Sequence, residues 1–332
     1  MHPRFFLFLF TVLFASGVAG QSNHQQRLDS FRVVGYYFLR AALSDTQTQN
    51  KEYPFLDHLT HLNIAFINPD SNGNFQKDLL INDLIEKAHA KGVKVLASIA
   101  GGGSHAYYST LLYLPKRKKL VSDLTEIVLK NNLDGVDVDL EGGDIDENYE
   151  PFVTELAVSL KKHNRLITSA IASAYKDQLT DQALKQFDFI NLMSYDATGP
   201  WRPQDAGPHA PYEMAVRDLD YWIQTRSLPK QKVNLGLPFY GYVFGAPTSP
   251  VTSMTYGDII ATGRVQHEGD TLQLPGGTVV YFNGAATIKA KTTMAANRAG
   301  GVMIWQILGD ADGTNSLLEL INKTVERSRK KR

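Results

Sequence analysis

The sequence predicts an α/β protein of the (β/α)8 TIM-barrel class, and three observations predict it. Short apolar runs rich in β-branched and aromatic residues alternate eight times with amphipathic helical stretches along the 332 residues, the order that builds a parallel sheet with helices outside it. The rival, an open doubly wound sheet, would be favoured by a Gly-rich phosphate loop after the first run. None is there. Ala100-Gly101-Gly102-Gly103 follows the third run, lacks G-x-G-x-x-G spacing and does not lead at once into a helix. Finally, Ser98, Glu141, Tyr195, Asp196 and Trp305 all fall at or just beyond the ends of their runs, the rim where barrels keep their active sites.

Taken in order, the first predicted strand is Arg32 to Phe38, dense in Val and Tyr. The second, residues 61–67, runs into the turn signal Asn68-Pro69-Asp70-Ser71-Asn72-Gly73. Leu84, Ile85 and Ala88 give helical spacing to 82–91, and Gly92 closes that helix. Residues 93–98 form the third strand. Leu120, Val121, Leu124, Ile127 and Val128 mark a helix over 120–131, and 133–141 supplies the fourth strand. Helices over 149–163, 181–186, 214–224, 284–297 and 317–327 then alternate with strands over 166–171, 189–194, 233–237 and 301–305. Only a short insertion fits between strands seven and eight, where Met254 to Tyr281 has room for at most a helix and a small hairpin. No long linker or repeat interrupts 31–328, which read as one domain.

Composition narrows the function classes. The chain is 43% hydrophobic and 20% charged, with Lys+Arg and Asp+Glu equal at 34 each, so no basic footprint for nucleic acid is expected. The basic run 327–332 reads as a solvated helix end. Residues 1–20 read as a signal peptide: His2 and Arg4, an apolar core from Phe5 to Phe14, and a small-residue exit from Ala15 to Gly20. A polar lead over 21–30 follows, and the expected location is secreted or periplasmic. The apolar run is shorter than the roughly 20 residues of a membrane span. Cysteine is absent, which removes thiol nucleophiles and thiolate metal sites. A chain of this length buries a full core without disulfides.

The chemistry concentrates in Leu133-Asp134-Gly135-Val136-Asp137-Val138-Asp139-Leu140-Glu141. Side chains alternate faces along a strand, so Asp137, Asp139 and Glu141 share one face at spacings of about 6.6 Å. Carboxylates crowded this way repel, and in a low-dielectric site at least one keeps its proton near neutrality. Two plainer readings compete. One is an edge strand with a solvated acidic face. The other is calcium, since Asp137 opens D-x-D-x-E-G; an EF-hand loop needs Glu at position twelve and flanking helices, whereas Asn148 stands there and a strand precedes. No other ligand spacing suggests a metal, and no cofactor is expected.

At this point the sequence resembles glycoside hydrolase family 18, the chitinase family. Residues 134–141 match its D-G-x-D-x-D-x-E in full. Gly35-Tyr36-Tyr37 and Asn63-Ile64-Ala65-Phe66 are similar to its first two strands, Met193-Ser194-Tyr195-Asp196 to its M-x-Y-D, and Gly300 to Trp305 to its last strand. Four departures stand out. Ala100 replaces the first Gly of S-x-G-G in Ser98-Ile99-Ala100-Gly101; Asn191 stands where Gln is usual; Tyr242 stands where Arg often follows Tyr-Gly; and the insertion after Tyr240 is short, which implies a shallower groove.

The resemblance implies a substrate-assisted route in which the acetamido group of the sugar is the nucleophile. Glu141 would be the general acid, Asp139 would hold the acetamide N–H, Asp137 would share a proton with Asp139, and Tyr195 would donate to the acetamide carbonyl. The three acids would titrate as a coupled unit. Trp305 would floor the reacting sugar, Asp196 would bind hydroxyls, Trp201 would form a subsite platform, and Asn191 joins the substrate-binding set. Tyr36, Phe66 and Met193 fit either pocket lining or core. The expected partner is a polysaccharide or oligosaccharide containing N-acetylglucosamine, met by a monomer. Alternatives are an endo-β-N-acetylglucosaminidase on N-glycans, a peptidoglycan-acting glucosaminidase, and a non-catalytic chitin-binding lectin, which would lack the acid that Glu141 supplies.

Overall fold

The protein is described here from a computed structural model over residues 31–39, 52–76, 82–246, 249–265 and 269–330. The expected signal peptide over 1–20 and polar lead over 21–30 lie outside the described residues.

Seven barrel strands come first: β1 (Arg32–Phe38), β2 (His61–Ala65), β3 (Lys94–Ala100), β4 (Gly135–Asp139), β5 (Leu166–Ile171), β6 (Phe189–Leu192) and β7 (Val233–Pro238). An inserted sheet follows, made of β8 (Tyr240–Phe244), β9 (Thr252–Thr255), β10 (Thr271–Gln273) and β11 (Val279–Tyr281), before the last barrel strand, β12 (Gly301–Trp305). The barrel closes in the order β1-β12-β7-β6-β5-β4-β3-β2, and every pairing in it is parallel.

Alternation along the strands sorts side chains into two cores. Val33, Leu62, Ile64, Val95, Val136, Val138, Leu235 and Val302 face outward into one continuous cluster with the helices. Val34, Tyr36, Ala65, Ala170, Phe189 and Met303 form a second cluster inside the barrel. Each such aliphatic or aromatic side chain contributes about 1.5–3 kcal/mol by leaving water. The inner end nearest the strand starts is plugged: the Arg32 guanidinium lies 4.5 Å from the Phe189 ring centroid, and its Nε donates to Asn234 Oδ1 at 3.0 Å. Burial pushes that guanidinium down to about 10. The opposite end is therefore the open one.

The outer helices are α1 (Asn82–Ala90), α2 (Tyr107–Leu112), α3 (Lys116–Lys130), α4 (Tyr149–Lys161), α5 (Asp181–Gln186), α6 (Tyr212–Leu219), α7 (Tyr256–Ala261), α8 (Ala285–Arg298) and α9 (Leu317–Lys330). The stretch expected as one helix over 214–224 changes to π geometry over Asp220–Thr225. There Trp222 is fully buried and its Nε1 donates to Ser173 Oγ at 3.1 Å. No helix of the described residues is long and apolar enough to cross a membrane.

The insertion is small, as expected, and Met254 to Tyr281 carries the helix α7 and the β10–β11 hairpin. It is a four-stranded antiparallel sheet ordered β10-β11-β8-β9, with α7 attached. β8 begins two residues after β7 ends and pairs with β9, and these two strands complete the sheet beside the hairpin. Residues 256–281 are thus left free to add α7, β10 and β11.

Candidate active site

β4 carries the acids because its alternation points Val136 and Val138 at the helices and Asp137 and Asp139 into the barrel. Ser98 and Thr168 are the register partners of Asp137 on the neighbouring strands, and both turn their hydroxyls to it. Asp137 Oδ2 accepts from Ser98 Oγ at 2.8 Å and from Tyr36 Oη at 2.7 Å. Asp137 Oδ1 accepts from Thr168 Oγ1 at 2.6 Å and, more weakly, from Asn191 Nδ2 at 3.5 Å. Asp139, one step further out, is 4% exposed, and among the described residues its Oδ1 has no hydrogen-bond partner. Glu141 follows the strand end, and its Oε1 accepts from the Gly103 N–H at 3.0 Å.

Burial is the first cause of every shift in this group. It lifts the Asp137 carboxyl above the ordinary carboxylate range, against the donors Thr168, Tyr36, Ser98 and Asn191, which favour the charged form. Burial lifts Asp139 much further, reinforced by the charges of Glu141 and Asp137. Glu141 is raised by burial and by Asp196, while the Gly103 and Gly102 amides and His105 oppose the rise. Tyr195 is held well above its usual range by burial and by Asp139, Asp196 and Glu141, so its hydroxyl stays a proton donor. Each of these shifts favours the protonated form of its group.

These groups open onto a cavity of about 790 Å³, bounded by the ends of β1 to β6, by β8 and by Trp305. Trp305 stacks on Phe66 with ring centroids 5.6 Å apart and planes 22° apart, and meets Tyr36 edge-on at 5.6 Å. The Ala65–Phe66 and Trp305–Gln306 peptide bonds beside these rings are cis. Gly101 is what lets Phe66 lie there: a Cβ on Gly101 would fall 1.9 Å from Phe66 Cζ, and its φ of +73° is in the left-handed region. Gly236 does the same service for Tyr195, whose Cε1 would be 2.9 Å from a Cβ at that position. Trp201 stands at the rim, 55% exposed, edge-on to Tyr242 at 5.7 Å.

Nine of the eleven expected site residues line this cavity: Glu141, Asp139, Tyr195, Trp305, Asp196, Met193, Tyr36, Phe66 and Trp201. Asp137 and Asn191 lie beneath it, fully buried. For Asn191 this replaces substrate contact with a supporting position, because its Nδ2 faces Asp137 and Tyr36 Oη and its Oδ1 accepts from Asn234 at 2.9 Å. Ser98, expected at the rim, is likewise buried under Asp137. The surroundings of Asp196 were not marked in the sequence. Its Oδ1 accepts from Tyr240 Oη and faces His209 Nδ1 at 3.3 Å, and Tyr242 approaches the same carboxylate. Tyr175, Arg202 and the Gly102–Gly103 amides also line the cavity. The Tyr-Gly-Tyr run was the only available signal for Tyr240; nothing local marked His209.

The profile of the glycosyl hydrolases of family 18 matches residues 32–310. Among solved structures, the chitinase ChiB from the chitin utilization locus of Flavobacterium johnsoniae superposes with a TM-score of 0.79 and 36% sequence identity, covering 90% of this chain and 94% of that one. A chitinase from Bacteroides thetaiotaomicron gives a TM-score of 0.73 at 29% identity, covering 89% of this chain and 97% of that one. Human chitinase-3-like protein 2 is 26% identical over 314 residues, which span 76% of this chain and 80% of the human one. Several other curated relatives are matched over only 53% to 58% of their own length.

Proposed function

The chain belongs to glycosyl hydrolase family 18, and from that premise we propose that it hydrolyses β-1,4 bonds between N-acetylglucosamine units of chitin or its oligosaccharides, with retention of configuration. The observation that carries this reading is the ladder of Asp137, Asp139 and Glu141 beneath a cleft floored by Trp305. The identity to the Flavobacterium and Bacteroides chitinases, 36% and 29%, supports it.

The chemistry follows from the positions of the groups. Glu141, whose protonated form burial and Asp196 favour, gives its proton to the leaving glycosidic oxygen. The acetamido carbonyl oxygen of the same sugar closes on C1 as the leaving oxygen departs. Asp139 Oδ1, which has no partner among the described residues, accepts the acetamido N–H and faces the positive charge of the oxazolinium. Among the described residues the Tyr195 hydroxyl has a single hydrogen-bond partner, Met303 Sδ, at 3.8 Å. A thioether is a weak acceptor, so the hydroxyl is free to donate to the acetamido carbonyl. Glu141, now ionised, takes a proton from the water that attacks C1 and reopens the ring. Asp137 stays below as the group with which Asp139 exchanges its proton.

The test is a product profile on chitin oligosaccharides, a glycoprotein and peptidoglycan. Chitin oligosaccharides should be cut to smaller oligomers of retained configuration, and the same oligomers without their acetyl groups should be left intact. Release of N-glycans or peptidoglycan fragments alone would move the activity to those substrates. Tight binding of chitin oligosaccharides without any turnover would make the protein a lectin. We further propose that the chain acts outside the cytoplasm, on the strength of the leader-like residues 1–20; N-terminal sequencing of protein recovered from the medium or periplasm tests it.

A further inference from the structure

His209 has no part in the chemistry above, yet it is fully buried against the site. Its ring sits between Tyr240 and Tyr242, with centroids 4.9 Å and 5.0 Å away. Its Nδ1 lies 3.3 Å from Asp196 Oδ1 and its Nε2 lies 3.3 Å from the Tyr240 carbonyl oxygen. Both partners are acceptors. A neutral imidazole has one N–H and one lone pair, so beside a carboxylate either neutral tautomer would aim a lone pair of this buried ring at an oxygen lone pair. With Asp196 as a carboxylate, a ring carrying both protons satisfies the two contacts at once, and buried polar groups left facing like partners are costly.

We propose that His209 is a positioning residue, doubly protonated between Asp196 and the Tyr240 carbonyl, which keeps the Asp196 carboxylate ionised and aimed at the cleft beside Glu141. The groups facing the ring are Asp196 from the end of β6 and Tyr240 and Tyr242 from β8. The next carbonyl, Ala210, is gripped by Lys291 Nζ from α8 at 2.8 Å and by Asn283 Nδ2 at 2.9 Å, which fixes the backbone that carries the ring. Burial pushes Lys291 down to about 8, and Asp270, Asp218 and Glu213 counter that fall. His209 and Tyr240 both meet one oxygen of Asp196, Oδ1, so the carboxylate is oriented as well as charged. Asp196 holds a left-handed backbone, φ 66°, and depends on such side-chain contacts to stay in place.

The claim about catalysis rests on the chitin-hydrolase reading; the claim about the protons does not. Nitrogen-15 spectra of the whole protein labelled in its nine histidine rings read the second directly. The resonances lost in His209→Gln should be those of an imidazolium at neutral pH, and in Asp196→Asn they should move to neutral-ring positions. A neutral His209 in the wild-type protein overturns the proposal, whatever the activity, and Asp196→Asn identifies the signals should the Gln variant fail to fold. On chitin oligosaccharides, His209→Gln removes the positive charge, so the pH profile of kcat/KM should move to higher pH by about 1 unit. Loss of activity with an unmoved profile would reduce His209 to packing and overturn its electrostatic role. An inactive wild-type protein refutes the hydrolase reading and leaves the spectra to decide the proton count.

Discussion

Replacing Thr168 by Val removes one hydroxyl from beneath Asp137 and little else, since the two side chains are similar in shape. The lost bond is 2.6 Å long and both partners are fully buried, so no water takes its place. A hydrogen bond to an ionised group contributes about 1.5–3 kcal/mol, and one to a neutral group about 0.5–1.5 kcal/mol. The cost of Thr168→Val should therefore depend on the charge of Asp137. The folded pKa of Asp137 is raised by burial, with Thr168 first among the groups that hold it down. A carboxyl raised on folding contributes stability below its unfolded value and loses it as pH rises through the folded one. Without Thr168 the folded value climbs further, so the extra loss opens on the alkaline side. Urea unfolding should give a deficit of about 1 kcal/mol in acid and about 2 kcal/mol at mildly alkaline pH. That difference corresponds to a rise of about 0.7 in the Asp137 pKa, and the acid limb of kcat/KM should move up with it. Equal deficits at both pH values, with an unmoved limb, would refute the view that Asp137 changes charge in this window.

Glu141→Gln should lower kcat by about 10²–10⁴-fold. Because burial and Asp196 raise the folded pKa of Glu141, removing its charge should also make the variant gain stability relative to wild type as pH rises, read by urea midpoints at two pH values. Gly101→Ala should cost about 2–5 kcal/mol, adding the left-handed penalty to the overlap with Phe66, and should raise KM by breaking the Phe66–Trp305 stack. Ala100→Gly should act oppositely: Ala100 has φ 64°, and relieving it should stabilise the fold by about 0.5–1 kcal/mol after the entropy of glycine is counted.

Much of this molecule could be read from local pattern. The eight barrel strands announce themselves because each is buried on both faces and needs an unbroken apolar or alternating run, as Val95 to Ala100 and Gly135 to Asp139 show. The acids of β4 were visible for the same reason, since an alternation of period two fixes which residues share a face. What escaped depends on distance in sequence. Tyr240 and His209 reach Asp196 across 44 and 13 positions, and nothing in either neighbourhood marks them as partners. Asn191 entered the substrate-binding set because it stands where the resemblance puts a Gln, two residues before Met193. The barrel register instead sets it one layer deeper, opposite Asn234. In the inserted sheet β8 and β9 went unmarked because β8 follows β7 without a turn signal and strands this short carry too few residues to show a period.

The three tryptophans are distributed so that the protein carries its own optical reporter. Trp305 and Trp201 border the cleft from floor and rim, while Trp222 is sealed in the core with its indole N–H occupied by Ser173. A sugar entering the cleft changes the emission of the first two and leaves the third as an internal reference. Titrating Glu141→Gln with chitin oligosaccharides by intrinsic fluorescence would thus measure occupancy alone. Comparing single replacements of Trp201 and Trp305 by Phe would say which end of the cleft fills first.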